Sequence, residues 1–257
     1  MPIVRFIGRV SPKTVKIDAR MPELRWKWDE AALELLIRIV VAGSHVTVEV
    51  ETATYEHKLH FTEFHKRADD IARSTVNLSA FATGLGISVT LHAAILPDGN
   101  MTQILPQDPG LQALCTTYSL EPSASHDFGR IVQLVLTDPP LFRALDDLIA
   151  AITQYHVSCV NCGRVVDSIC RMINPSASSG PSKAAWAAMH QALNVARSYQ
   201  EWISMQAKGP RHGDPSFVPG TVTTEVTHRT WALMNRFLAY RLRGNVPLTS
   251  PEFPLLS

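Results

Sequence analysis

The residues best equipped for chemistry lie in one short stretch, Gly209-Pro210-Arg211-His212-Gly213-Asp214-Pro215. Arg211, His212 and Asp214 put three polar groups into four positions, between a long helical segment and the next. Flanking glycines and prolines impose an unusual backbone path, as loops that carry function often need. Arginine supplies a permanent bidentate clamp for phosphate, and histidine a proton carrier titrating near neutrality. Such a trio could hold and cleave a phosphodiester without a metal, given a 2′-hydroxyl nucleophile and His212 as general base or acid. The plainer alternative is that Arg211 and Asp214 pin the loop to neighbouring helix ends.

Other polar residues recur nearby at helical spacing. In the last helical segment Arg229, Arg236 and Arg243 return every seven residues, with His228 and Asn235 beside them. Such a row could follow a nucleic-acid backbone, although solvated arginines on an exposed face are commoner. The preceding segment carries His190, Asn194, Arg197 and Glu201 at i, i+4, i+7 and i+11. That stripe faces either the same cleft or solvent, and Arg197 and Glu201 are also spaced as an ordinary ion pair. A shorter segment offers Arg164, Asp167 and Arg171. Arg197, Arg229, Arg236 and Arg243 are therefore the expected nucleic-acid contacts.

Cys159 and Cys162 form a C-x-x-C preceded by His156 at the same spacing. On a helix the outer two of these lie roughly 9 Å apart along the axis and about 120° apart around it. Zinc holds its ligands at about 2.0–2.3 Å from one centre, which that arrangement strains. Small cysteines buried between helices are the expected reading. His57, His60 and His65 read as surface or turn histidines. No dinucleotide fingerprint, Walker loop, nucleophile elbow or H-E-x-x-H occurs, so no cofactor or metal is expected.

The elements that must position these residues change character along the chain. In residues 1–122, Val46, Val48 and Val50 alternate with polar neighbours, as do Ile87, Val89, Leu91, Ala93 and Ile95. The second run enters Pro97-Asp98-Gly99-Asn100 and returns through Met101 to Leu105, an antiparallel hairpin. Val4–Val10 and Val15–Asp18 read as further strands. Thr62 opens a helix ending at Gly84, and Asp29 opens an amphipathic helix through Val40, with a buried strand as the alternative for Ile37–Val41. This module is α+β, with helices on one face of a mostly antiparallel sheet. After Glu121-Pro122-Ser123-Ala124-Ser125, residues 123–246 read as an all-α bundle of four or five helices. Its expected helices span Asp127–Thr137, Asp138 to about His156, Cys159–Ile173, Ser182 to about Lys208 and Thr223–Arg243. Residues 247–257 form a Pro-rich strap that packs back on the bundle.

The 257 residues hold 24 basic and 23 acidic side chains, 17 prolines and 46% apolar residues. Such composition excludes a disordered chain. Near-neutrality is a sum of unlike parts: residues 1–122 hold 12 basic and 14 acidic side chains, residues 158–257 hold 10 and 5. The uncharged run Ser74–Pro97 is half polar, so no membrane span is expected. The N-terminal stretch lacks an apolar signal core, so a cytoplasmic location is expected.

With these residues in view, the C-terminal half resembles HEPN-type helical domains, short bundles of many bacterial defence, toxin and RNA-processing proteins. Arg211-His212-Gly213 at a helix junction and the polar positions of the two preceding helices carry the likeness, over residues 126–245. Ribonuclease members separate the arginine from the histidine by four to six residues, whereas here the two are adjacent. The resemblance implies binding of RNA or another phosphate-bearing ligand, ribonuclease chemistry in stress or defence, and a homodimer. A non-enzymatic module that docks a protein partner is the rival expectation. An enzyme with a small-molecule cleft between the halves has no supporting motif.

Overall fold

A computed structural model describes residues 1–105, 110–111, 126–175, 181–214 and 218–257. Two compact units divide the chain, Met1–Leu105 and Pro106–Ser257. The boundary expected from the sequence, Glu121–Ser125, lies outside the described residues, as does Pro215 of the 209–215 stretch.

In the first unit β1 (Ile3–Ser11), β4 (Leu33–Ala42), β5 (His45–Thr52) and β6 (Ser88–Ile95) form the centre of an antiparallel sheet. Its order is β2-β4-β5-β1-β6-β7, where β2 is Ala19–Arg20 and β7 is Met101–Gln103. β3 (Leu24–Trp28) also pairs with β4. Val4, Phe6 and Val10, Val46, Val48 and Val50, and Leu35, Ile37, Ile39 and Val41 all point to the buried face. There α1 (His57–Thr83) covers them with Phe64, Ala68, Ala72 and Val76. Gly84, at φ +66°, closes α1 by donating its N–H to the Ala80 carbonyl. The other face is polar, with Arg5 on Glu49 and Arg38 on Glu51, both at 2.8 Å. This is the α+β arrangement read from the sequence.

Three details differ from that reading. The helix expected from Asp29 to Val40 is one 3-10 turn, Asp29–Ala31, closed by Ala32 at φ +51°, and then strand β4. Leu33, Leu36, Ile37 and Val40 have helical spacing, but the β-branched run Ile37–Val41 alternates in and out of the sheet, and sheet burial prevails. Val15–Asp18 is not a strand, since Ile17 bonds only the Gly43 carbonyl before pairing starts at Ala19. Helix α1 begins at His57 and not Thr62, because rings hold its first turns. His57 packs 4.7 Å from Phe61 between ring centroids, and His60 Nδ1 accepts the Glu56 N–H at 2.9 Å. The three histidines therefore belong to a helix; burial pushes the His65 pKa down.

The second unit is helical, with α2 (His126–Thr137), α3 (Pro139–Thr153), α4 (Ser158–Ile173), α5 (Lys183–Leu193), α6 (Arg197–Arg211) and α7 (Gly220–Leu242). α4 is the hub and packs against α3, α5, α6 and α7. Cys159, Cys162, Val165, Val166, Ile169 and Cys170 are all buried there. Each fully buried aliphatic side chain contributes roughly 1.5–3 kcal/mol. Burial pushes the Cys162 thiol up to about 11, so this cysteine sits in the helix interface as a small apolar residue. Asp138 caps α3, accepting the Leu141 N–H at 3.2 Å.

The single helix expected from Ser182 to Lys208 is two helices. Ser182 caps the first, but Asn194 takes φ +50° and ends it. Arg236 explains the break. It is 9% exposed, and its Nη1 donates to the Leu193 and Asn194 carbonyls, both at 2.9 Å. Its Nη2 donates to the Pro254 carbonyl. The strap completes the junction: Asn194 Nδ2 donates to the Phe253 carbonyl at 2.7 Å, and Ala196 N–H to the Leu256 carbonyl at 2.7 Å. Leu248 and Phe253 are buried, so the strap packs back as expected.

Among the described residues no helix is long and apolar enough to cross a membrane. Replacing Arg236 by Met should cost about 1–3 kcal/mol in urea unfolding, since it strands buried carbonyls. Faster amide exchange at Leu248 and Leu256 should accompany that loss; unchanged stability would contradict the clamp.

Candidate functional site

Two helical faces meet over α4 to make a polar cavity of about 450 Å³. Lys183, Trp186, Ala187 and His190 recur at i, i+3, i+4 and i+7 along α5. Arg197, Gln200, Glu201 and Ser204 do the same along α6, and Arg211 follows seven residues after Ser204. Asp167 of α4 closes the floor. Neither α5 nor α6 has an acid in its first turn, so Lys183 and Arg197 add to the positive ends of two helix dipoles.

Arg211 reaches this cavity because α6 continues through Gly209 and Pro210, where a loop was expected. Proline at the end of a helix forfeits few bonds, and His212 and Asp214 N–H groups then return to the Gly209 carbonyl. Arg211 Nη1 binds Asp167 Oδ2 at 2.9 Å. Gly163 of α4 makes the approach possible: a Cβ there would lie 2.5 Å from Ala207 Cβ and 2.7 Å from Arg211 Nη2. Arg197 holds Glu201 at 2.6 Å, with both side chains half or more exposed, so that bond is worth little and is easily exchanged. Lys183 carries no ion pair among the described residues. His190 Nε2 lies 3.3 Å from Gln200 Oε1, and Gln200 Nε2 donates to Ser204 Oγ at 2.7 Å. Burial pushes the His190 pKa down.

The sequence-derived candidates divide accordingly. Arg211 and Arg197 line this cavity together, with His190 and Glu201 of the expected stripe. Asn194 of that stripe serves the helix break instead. His212 and Asp214 line a different, shallower cavity of about 670 Å³ with Lys208 and Pro219. The arrangement thus separates Arg211 from His212 and Asp214. The arginines of α7 have other partners. Arg229 binds Glu225 at 2.6 Å and lies 4.4 Å from the Trp202 ring centre. Arg236 is the buried clamp already described, and Arg243 binds Glu252 beneath the Phe253 ring. The expected row of three on one open face is therefore not formed. Lys183, Trp186, Gln200 and Ser204 escaped the sequence reading, although their helical spacing to His190 and Arg197 was the available signal.

Residues 4–105 match the N-terminal domain, and residues 128–242 the C-terminal domain, of a family described as a domain of unknown function (DUF8168). This chain pairs the two DUF8168 domains. No curated protein and no solved structure matches it. The candidate cavity lies in the DUF8168 C-terminal domain, since all its lining residues fall within 128–242.

Gly163→Ala should push α6 away from α4 and break the Arg211–Asp167 pair, at a cost of about 1–3 kcal/mol from overpacking. Thermal unfolding measures the cost, and a crystal structure of the variant the displaced guanidinium. An unshifted Arg211 would contradict this account.

Proposed function

We propose that the DUF8168 C-terminal domain binds RNA or another phosphate-bearing ligand in the cavity between α4, α5 and α6. The carrying observation is that Lys183, Arg197 and Arg211 converge there, against the carboxylates of Asp167 and Glu201. A phosphate can exchange with either carboxylate: it offers Arg211 a bidentate partner in place of the single bond to Asp167 Oδ2. Trp186 gives a base a ring to stack on, and the Gln200–Ser204 pair gives a sugar hydrogen-bonding partners. Binding is the part of the HEPN-like expectation carried forward. The trio assigned to ribonuclease chemistry is split between cavities, and His190 is the histidine that lines the cavity with Arg211. An RNA ligand accords with the cytoplasmic location expected from the sequence.

A second reading, docking of another protein or of a second copy, draws on Leu136, Phe142 and Ile149. These are 75%, 55% and 47% exposed on α2 and α3. Light scattering together with titration separates the two readings. The ligand reading expects uridine monophosphate to bind at low salt and uridine not to bind. Arg211→Ala and Lys183→Ala should each weaken that binding about tenfold, the loss of one charge-assisted bond. Equal binding of uridine and its monophosphate would overturn it, as would no binding of any phosphate compound.

A further inference from the structure

A second, larger cavity of about 860 Å³ shares Asp167 with the first. Along α4 the residues Arg164, Asp167, Ser168 and Arg171 occupy i, i+3, i+4 and i+7, one face some 10 Å long. Arg143 of α3 and Tyr240 and Arg241 of α7 complete the wall. Two of these arginines are already neutralised: Arg241 by Asp138 at 2.8 Å, and Arg164 by Asp147 at 3.3 Å. Arg143 and Arg171 have no ion pair among the described residues. Unneutralised cations therefore stand in both cavities, Lys183 in one and Arg143 and Arg171 in the other, with Asp167 between them.

Each cavity also holds a half-buried aromatic ring, Trp186 in the first and Tyr240 in the second. Tyr240 leans on Phe237, with ring centres 6.5 Å apart. A mononucleotide needs only one cation cluster and one ring. Two adjoining cavities, each with cations and a ring, suit a chain with repeated phosphates and accessible base faces, the pattern by which single strands are held. A duplex keeps its bases stacked inside and could not offer them to Trp186 or Tyr240.

We propose that the ligand is single-stranded RNA that crosses Asp167, with one phosphate-bearing segment in each cavity. This rests on the reading that the first cavity takes phosphate. The strand's phosphates meet Arg211 and Lys183 on one side and Arg143 and Arg171 on the other, while successive bases stack on Trp186 and Tyr240.

The test uses the full chain and fluorescein-labelled oligouridines of roughly 2 to 12 nucleotides, read by anisotropy, with uridine monophosphate as competitor. Affinity should rise at least about tenfold between the dinucleotide and the octanucleotide and then level off. The double variant Arg143→Ala, Arg171→Ala should weaken octanucleotide binding by about tenfold and lower its salt slope by roughly 1–1.5. This variant should still bind uridine monophosphate in the first cavity, whereas Arg211→Ala should weaken binding of both ligands there. If the octanucleotide binds no better than the monophosphate, or a duplex of equal length binds as well as the single strand, the crossing is overturned while the first cavity's role stands. If neither the monophosphate nor any oligonucleotide binds at low salt, both proposals fall.

Discussion

The close approach of α4 and α6 at Gly163 and Ala207 is the constraint on which the helical domain depends. A hub helix that buries all but one face must find neighbours on several sides, and each must fit at native density. At Gly163 there is no room for a single methyl group. Bringing α6 that near delivers Arg211 to Asp167, and it sets the depth of the cavity whose floor Asp167 forms. Packing and charge are thus settled at one contact. Cys159, Cys162 and Cys170 fit the same logic, since small polarizable side chains fill a crowded interface.

Electrostatics are arranged locally, and a net charge near zero conceals this. Most arginines of the helical domain are committed. Arg229 and Arg241 are paired along or between helices, Arg243 holds the strap, and Arg236 is sunk among carbonyls. What distinguishes the two cavities is the cations left over beside carboxylates that a stronger acceptor could replace. Asp167 serves both sides, so any anion entering either cavity changes the field in the other.

Much of the fold was legible in the chain because short-range rules suffice for it. Ile87–Leu105 announced a hairpin through alternation and a turn, and Ser182 and Asp138 announced caps through their own side chains. Failures came where distant partners decide. Residues 33–42 satisfy both helical and alternating patterns, and only the neighbouring strands choose between them. The 182–208 segment kept its periodicity across Asn194, because the carbonyls freed there are satisfied by Arg236 and the strap, both remote in sequence. Gly209-Pro210 looked like a terminator, yet a helix can end on proline, and that turn carries Arg211 to a face its loop-based reading did not give it. Of the site, the His190–Arg197–Glu201 stripe was legible as spacing. Its extension to Lys183 and Ser204 was not singled out, because the same residue types line ordinary solvated helices.

The junction at Asn194 has a mechanical meaning for what lies on either side of it. His190 stands one turn before the break and Arg197 just after, so their mutual placement depends on the angle between α5 and α6. Three hydrogen bonds tie Asn194 and Ala196 to Phe253 and Leu256 of the strap, and two more from Arg236 tie the junction to α7. The cavity's walls are therefore not hinged where a helix break would ordinarily provide a hinge. A molecule entering meets a rigid mould and forfeits little freedom of the protein in settling there.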